Sequence, residues 1–217
     1  MLGLVAFGFG GVEPAVILVA FFLTSNVIGL FFSKEPNKPL SSVTDRRNGT
    51  QVWSNGFWFS LYLCIWYVLK ADMFLVAAVG AIATACADTW ATEFGTRIGG
   101  KTVLITDRKP VQPGTDGGIS LAGTSMALLG ATFIGIITLF FDKNFSLVTA
   151  ISILIGGFLG SIIDSWLGAV YQFGNKRLPN LLDSYSNQDN NSVNFIATGL
   201  GSLLTLITYN LLIYVVV

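Results

Sequence analysis

"MFLVAAVGAIATACADTWATEFGTR", residues 73–97, decides the class of this protein. From Met73 to Ala87 there is no charged residue, and the apolar run continues around Asp88 to Thr92. About 20 mostly apolar residues is the length an α-helix needs to cross the hydrocarbon core of a bilayer. Reading outward finds five more such stretches, so the predicted spans are Pro14–Phe32, Val52–Leu69, Met73–Thr92, Gly117–Phe141, Phe145–Tyr171 and Val193–Val217. The expected fold is therefore all-α: a polytopic helical membrane protein of about six transmembrane helices in a single domain, 1–217. Met1–Val12 is apolar but too short to span. It reads as the remnant of a further helix, a re-entrant piece or the start of a long first helix, and without a basic n-region it does not read as a signal peptide.

Composition agrees. Of 217 residues, 53% are hydrophobic and only 11% charged, against about 25% charged in an ordinary soluble domain. The formal net charge is zero, which points to no nucleic acid or other acidic partner. There is no histidine, which removes the commonest general base and zinc ligand. Cys64 and Cys86 both lie in apolar runs and form neither a disulfide framework nor a metal-binding spacing.

The cations test the span assignment. Loop 33–51 holds Lys34, Lys38, Arg46 and Arg47, loop 93–116 holds Arg97, Lys101, Arg108 and Lys109, and loop 172–192 holds Lys176 and Arg177. The opposite loops hold only Lys70 and Lys143. By the positive-inside rule the three long basic loops are cytoplasmic and both termini lie on the other side. An internal echo supports a parallel repeat of helix pairs. "CADTWATEFGTR" (86–97) and "IIDSWLGAVYQFGNKR" (162–177) share Asp, Thr or Ser, then Trp, followed by Phe-Gly and a basic residue.

Polar residues inside these spans carry the functional signal. An intramembrane carboxylate is costly and functional by default, which singles out Asp88 and Asp164. Helical spacing puts Asp88 and Thr92 on one face, with Thr89 and Glu93 adjoining. The plain alternatives are a helix-exit carboxylate reaching water beside Arg97 for Asp88, and a buried hydrogen bond to a neighbouring Asn or Ser for Asp164. "PGTDGG" (113–118) is a turn-forming segment leading into the fourth span. Gly114, Thr115, Gly117 and Gly118 can aim backbone N–H groups at an anion, and a helix start adds its positive end. Lys101, Arg108 and Lys109 stand just upstream as phosphate-binding cations. No Walker A pattern is present. Asp88, Glu93, Asp116 and Asp164 together suit Mg²⁺, a hard cation that also takes phosphate oxygens. Asn55 and Asn194, near the starts of the second and sixth spans, are candidates for contacts to nucleotide or phosphate, as are Arg46 and Arg47; capping, packing or lipid-facing roles are their plain alternatives. These parts suit phosphoryl transfer on a phosphorylated lipid or isoprenoid at the cytoplasmic membrane face.

"ADTWATEFG" (87–95), "LITDRKPVQPGTDGGIS" (104–120), "GSIIDSWLGAVYQ" (160–172), "QVWSNG" (51–56) and "NNSVN" (190–194) together resemble an integral-membrane family whose plant and cyanobacterial members act as phytyl-phosphate kinases. That family was formerly an uncharacterised transmembrane group. It is distantly similar to CTP-dependent polyprenol kinases and phosphatidate cytidylyltransferases. The resemblance runs from Phe21 onward and implies a kinase that uses a nucleoside triphosphate, CTP foremost. It would convert phytyl, geranylgeranyl or farnesyl phosphate to the diphosphate. On this reading Asp88, Asp164 and Lys109 are catalytic, with Mg²⁺ on the carboxylates. Thr89, Ser165 and the residues named above bind substrate and nucleotide. Two alternatives use the same residues: a CDP-lipid-forming cytidylyltransferase, and a cation- or proton-coupled transporter. The sequence says nothing of oligomeric state.

Overall fold

The computed structural model describes residues 1–32, 49–98, 100–141, 146–173 and 187–216. Arg46, Arg47, Lys176 and Arg177 lie outside the described residues. The chain begins with a short helix α1 (Leu2–Val5) that runs into a π-helical turn, Ala6–Gly10. Long helices follow: α2 (Val12–Phe32), α3 (Gly49–Leu69) and α4 (Asp72–Ile98). A small hairpin pairs β1 (Val103–Leu104) with β2 (Gly118–Ile119). Then come α5 (Leu121–Thr138), α6 (Leu147–Leu167), which continues as a π-helical segment Gly168–Phe173, and α7 (Asn187–Val216). Five of these helices are long and apolar enough to cross a membrane, and Val12–Ile28 is a shorter apolar helix. The all-α polytopic expectation holds.

The helix limits differ from the predicted spans for local reasons. The fourth span was expected from Gly117, but Gly118 pairs in the hairpin and Ser120 caps the helix, its hydroxyl accepting from the Gly123 N–H at 3.1 Å. Ser146 caps α6 with a capping box to Thr149. α4 runs past Thr92 to Ile98, so Glu93 and Arg97 stand on helix. α3 and α7 start earlier than expected, at Gly49 and Asn187, which moves their amide-rich leaders onto the first helical turns. Leu2–Gly10 is a separate helical piece, set off from α2 by Gly11 in the left-handed region (φ +81°) and packed against α2 and α3.

α4 is the axis of the bundle. Every residue from Leu75 to Ala87 is buried, and the helix touches α2, α3, α5, α6 and α7. A helix that is apolar all round belongs in such a place. Hydrophobicity gives no drive to associate inside a bilayer, so close van der Waals contact must hold the helices together. Here Thr205 of α7 sits against Gly80 of α4 and Gly156 of α6, while Thr84 of α4 sits against Gly160 and Gly201. The threonine hydroxyls donate to their own helices, Thr84 to the Gly80 carbonyl (3.0 Å) and Thr205 to the Gly201 carbonyl (2.9 Å). Neither hydroxyl is thereby left without a partner. Trp58 ties α3 to α7 by donating from its indole nitrogen to the Phe195 carbonyl at 2.9 Å. A β-carbon at Gly156 would meet the Thr205 backbone nitrogen at 2.6 Å and the Gly201 carbonyl oxygen at 2.8 Å. Gly156→Val is therefore expected to destabilise the bundle by about 3 kcal/mol, the upper end for overpacking. Thermal unfolding of the purified variant in detergent checks this.

Candidate functional site

Because successive long helices alternate in direction, the starts of α3, α5 and α7 and the ends of α4 and α6 gather at one end of the bundle. There they enclose a pocket of about 510 Å³, within the usual size range of ligand sites. Its floor is Asp88 on α4 and Asp164 on α6. The two carboxyls come within hydrogen-bonding reach of each other, with Asp116 of the hairpin close enough for its charge to act on Asp164. The two halves of the internal echo thus face each other across one site. Thr89, Thr92 and Glu93 continue the α4 wall, and Ser161, Ser165 and Gly168 the α6 wall. Asn55 and Gln51 enter from α3, and Asn190, Asn191 and Asn194 from α7.

The hairpin roofs the pocket with Gly114, Thr115, Asp116, Gly117 and Gly118. Gly114 (φ +89°) and Gly117 (φ +74°) take the left-handed conformations that the turn demands. A β-carbon on Gly117 would land on the backbone of Ala169, in the π-helical extension of α6. The hairpin is therefore seated directly on the helix that carries Asp164. Not all of the expected N–H cradle is available. Thr115 donates to the Gln112 carbonyl (3.1 Å) and Gly118 to the Thr115 carbonyl (2.8 Å), which leaves Gly114, Asp116 and Gly117 as the turn's donors among the described residues.

The structure places three of the expected groups differently. Lys101, Arg108 and Lys109 are exposed and line no part of the pocket. Arg108 sits at a left-handed position (φ 58°) in the hairpin's turn. Lys109 pairs with Asp107 at 2.7 Å, a contact that lowers the Asp107 carboxyl and raises the Lys109 ammonium from their ordinary values. β-Pairing turns this basic stretch away from the site. Glu93 does line the pocket, but its carboxylate meets Arg97 one turn on at 2.7 Å, the helical spacing that favours an ion pair. Finally, no group of three or more Asp, Glu, Cys or His side chains among the described residues is gathered as a metal cage. The ring of four carboxylates reduces to Asp88 and Asp164, with Asp116 beside them.

That smaller set still fits Mg²⁺. No described lysine or arginine lines the pocket, so the facing carboxylates have no cationic side chain of the described wall between them. Mg²⁺ characteristically takes one or two carboxylates and completes its shell with water and phosphate oxygens. Desolvation by the surrounding protein pushes the Asp116 carboxyl above the ordinary range. The first turns of α3, α5 and α7 all reach this space, and a helix start carries the positive end of its dipole. The sequence reading missed Gln51, Asn191, Ser120 and Thr124, all of which line the pocket. Their signal was the run of amide and hydroxyl residues just before or at each helix start.

Since Lys109 lies outside the pocket, Lys109→Ala is expected to change any activity of the pocket by less than about threefold, as for a screened surface charge. Steady-state kinetics at physiological salt measures it.

The model of the integral membrane protein family DUF92 matches residues 1–202. The chain is 27% identical to an uncharacterised membrane protein of Methanocaldococcus jannaschii over 96% of this chain and 82% of that protein. It is 30% identical to Protein PGR of Arabidopsis thaliana over 90% of this chain and 81% of that protein. An uncharacterised membrane protein of Synechocystis is 27% identical over 79% of this chain and 68% of its own length. No solved structure matches.

Proposed function

The chain belongs to the DUF92 integral membrane proteins, and from that premise we propose that it is an isoprenyl-phosphate kinase using a nucleoside triphosphate, CTP foremost. The observation that carries this reading is the meeting of Asp88 and Asp164, from two separate helices, beneath a glycine turn and three helix N-termini in one polar pocket. Such a site suits a polyanionic substrate that brings a divalent cation with it. By the positive-inside rule the pocket opens to the cytoplasm, where nucleotides are found.

An oxygen of the prenyl monophosphate attacks the γ-phosphorus of the nucleotide. The new P–O bond forms as the bond to the β–γ bridging oxygen breaks, giving prenyl diphosphate and a nucleoside diphosphate. Asp88 and Asp164, with Asp116 near them, would hold Mg²⁺, which when bound neutralises charge on the transferred group. Thr89, Ser165, Asn55 and Asn194, which line the pocket, would hydrogen-bond phosphate or nucleotide oxygens. The donors of the 114–117 turn and the helix starts orient the anion. A phosphate monoester is already largely ionised at neutral pH, so the reaction needs no histidine.

The test is to incubate the purified protein with Mg²⁺, CTP and a panel of prenyl monophosphates. The expected products are CDP and prenyl diphosphate. Release of pyrophosphate with a CDP-lipid would replace the kinase by a cytidylyltransferase; no turnover with any nucleotide would overturn both. Transport is not favoured, because beyond the pocket the bundle is closed by Leu75, Val79, Ile134 and Ile153, all buried.

A further inference from the structure

The pocket has two unlike sides. α5 packs against α4 and α6, and α3 against α4 and α7, so α3 and α5 stand on opposite flanks. The α5 side, with the hairpin, brings the hydroxyls of Ser120 and Thr124 and the glycine turn. The other side brings carboxamides: Gln51 and Asn55 from α3, and Asn190, Asn191 and Asn194 from α7. Asn191 and Asn194 are buried, only 4% and 6% exposed. Among the described residues, neither of their side-chain amides, nor that of Asn55, has a hydrogen-bond partner. Three amides are thus turned into the pocket with their donors and acceptors unused, and a buried amide left in that state costs free energy unless something entering the pocket bonds to it.

These amides are also held in place. The Thr198 hydroxyl lies 2.7 Å from the Asn194 carbonyl oxygen and 3.3 Å from the carbonyl oxygen of Ser54, the residue before Asn55. One buried hydroxyl therefore spans the two backbones that carry Asn55 and Asn194, and the Trp58 bond to the Phe195 carbonyl closes the same seam. Such fixing lowers the ordering cost of binding. All three asparagines stand beyond the first turn of their helices, which start at Gly49 and Asn187, so the N–H groups of the helix starts stay free for an anion.

A carboxamide offers N–H donors and a carbonyl acceptor and carries no charge. A phosphate only accepts, so it would use half of each amide and leave the carbonyl oxygen facing its own negative oxygens. A nucleobase edge sets donors and acceptors side by side in one plane and engages both halves together, the pairing by which Asn and Gln read bases. We infer that Asn55, Asn191 and Asn194 form the nucleobase subsite of this pocket and set which nucleoside triphosphate it takes. This rests on the kinase reading for the presence of a nucleotide. The base lies against the α3–α7 seam, and the phosphates run from it toward Asp88, Asp164 and the glycine turn.

Calorimetric titration of the full-length protein in lipid nanodiscs with Mg²⁺ tests this, using CTP, UTP, ATP, GTP and inorganic tripolyphosphate as ligands. The wild type is expected to bind its best nucleotide at least tenfold more tightly than tripolyphosphate. Asn194→Leu, which keeps the volume and removes the hydrogen bonds, is expected to abolish that advantage and to change tripolyphosphate affinity by less than threefold. If the wild type binds nucleotides and tripolyphosphate alike, or if the variant loses affinity for both equally, the base subsite is overturned while the kinase reading stands. If the wild type binds no nucleotide, the kinase reading falls as well. Asn55→Asp, on the other helix, provides a second variant with its own readout. It keeps the shape and replaces a donor by an acceptor, which suits the adjacent N–H donors of guanine and opposes the ring-nitrogen acceptor of cytosine. The ratio of GTP to CTP affinity is expected to rise at least tenfold, and an unchanged ratio in the folded variant overturns the assignment.

Discussion

Asp164→Asn is expected to lower turnover of prenyl monophosphate by roughly 10²–10³-fold, the scale seen when one preorganised electrostatic contact to a transition state is removed. The protein should unfold no earlier than the parent. Two carboxyls held within hydrogen-bonding reach of each other repel when both are ionised, so removing one charge relieves the metal-free protein. Activity falls while stability holds or rises, the usual trade at a functional site. A structural carboxylate would behave in the opposite way, losing stability first. Asp88→Asn should reproduce both effects, and the double variant should cost little more than either single one, because the two oxygens act as a unit. Turnover with CTP and Mg²⁺ beside thermal melting in the absence of divalent cation separates these outcomes. Wild-type activity in either single variant would remove the carboxylate pair from the mechanism.

Gly117→Ala is the second large effect. Its backbone sits at φ +74°, a conformation that costs a residue with a β-carbon roughly 1–2 kcal/mol. The added carbon also meets the nitrogen and α-carbon of Ala169, backbone atoms of a helix that cannot swing aside. With overpacking of about 1–3 kcal/mol added, the hairpin is expected to lift from α6. Because the turn roofs the carboxylates, a displacement of about 1 Å should reduce turnover roughly 10²-fold. Gly114→Ala is the informative comparison. It shares the left-handed strain (φ +89°), but its β-carbon would meet only the Thr96 methyl at 3.3 Å. If both alanines behave alike, seating on Ala169 has no special part. Protease nicking between residues 104 and 112, followed by mass spectrometry, reports the lifting directly.

Much of this was legible in the chain because bilayer solvation writes itself plainly: uncharged runs give the helices, and a lone carboxylate within one marks a site. Asp88 and Asp164 stood out for that reason, and the shared Asp-[Thr/Ser]-Trp placed them at equivalent depths. The helix edges were less legible. Gln51, Asn190 and Asn191 are polar, so they read as loop, although helix starts favour such residues and a pocket can solvate them. The ion pair of Glu93 was hidden for a related reason. Ending the helix at Thr92 hid the four-residue spacing to Arg97. The cations of 101–109 were unreadable in principle, since local positive charge does not reveal which way a two-stranded turn will face.

The convergence of three helix starts on one cavity has a lasting consequence. On the proposed reading, attraction for a polyanion would come from peptide dipoles rather than from titrating side chains, so acidity in the ordinary biological range would leave it unchanged, and relatives could differ in their lipid while keeping one grip on phosphate.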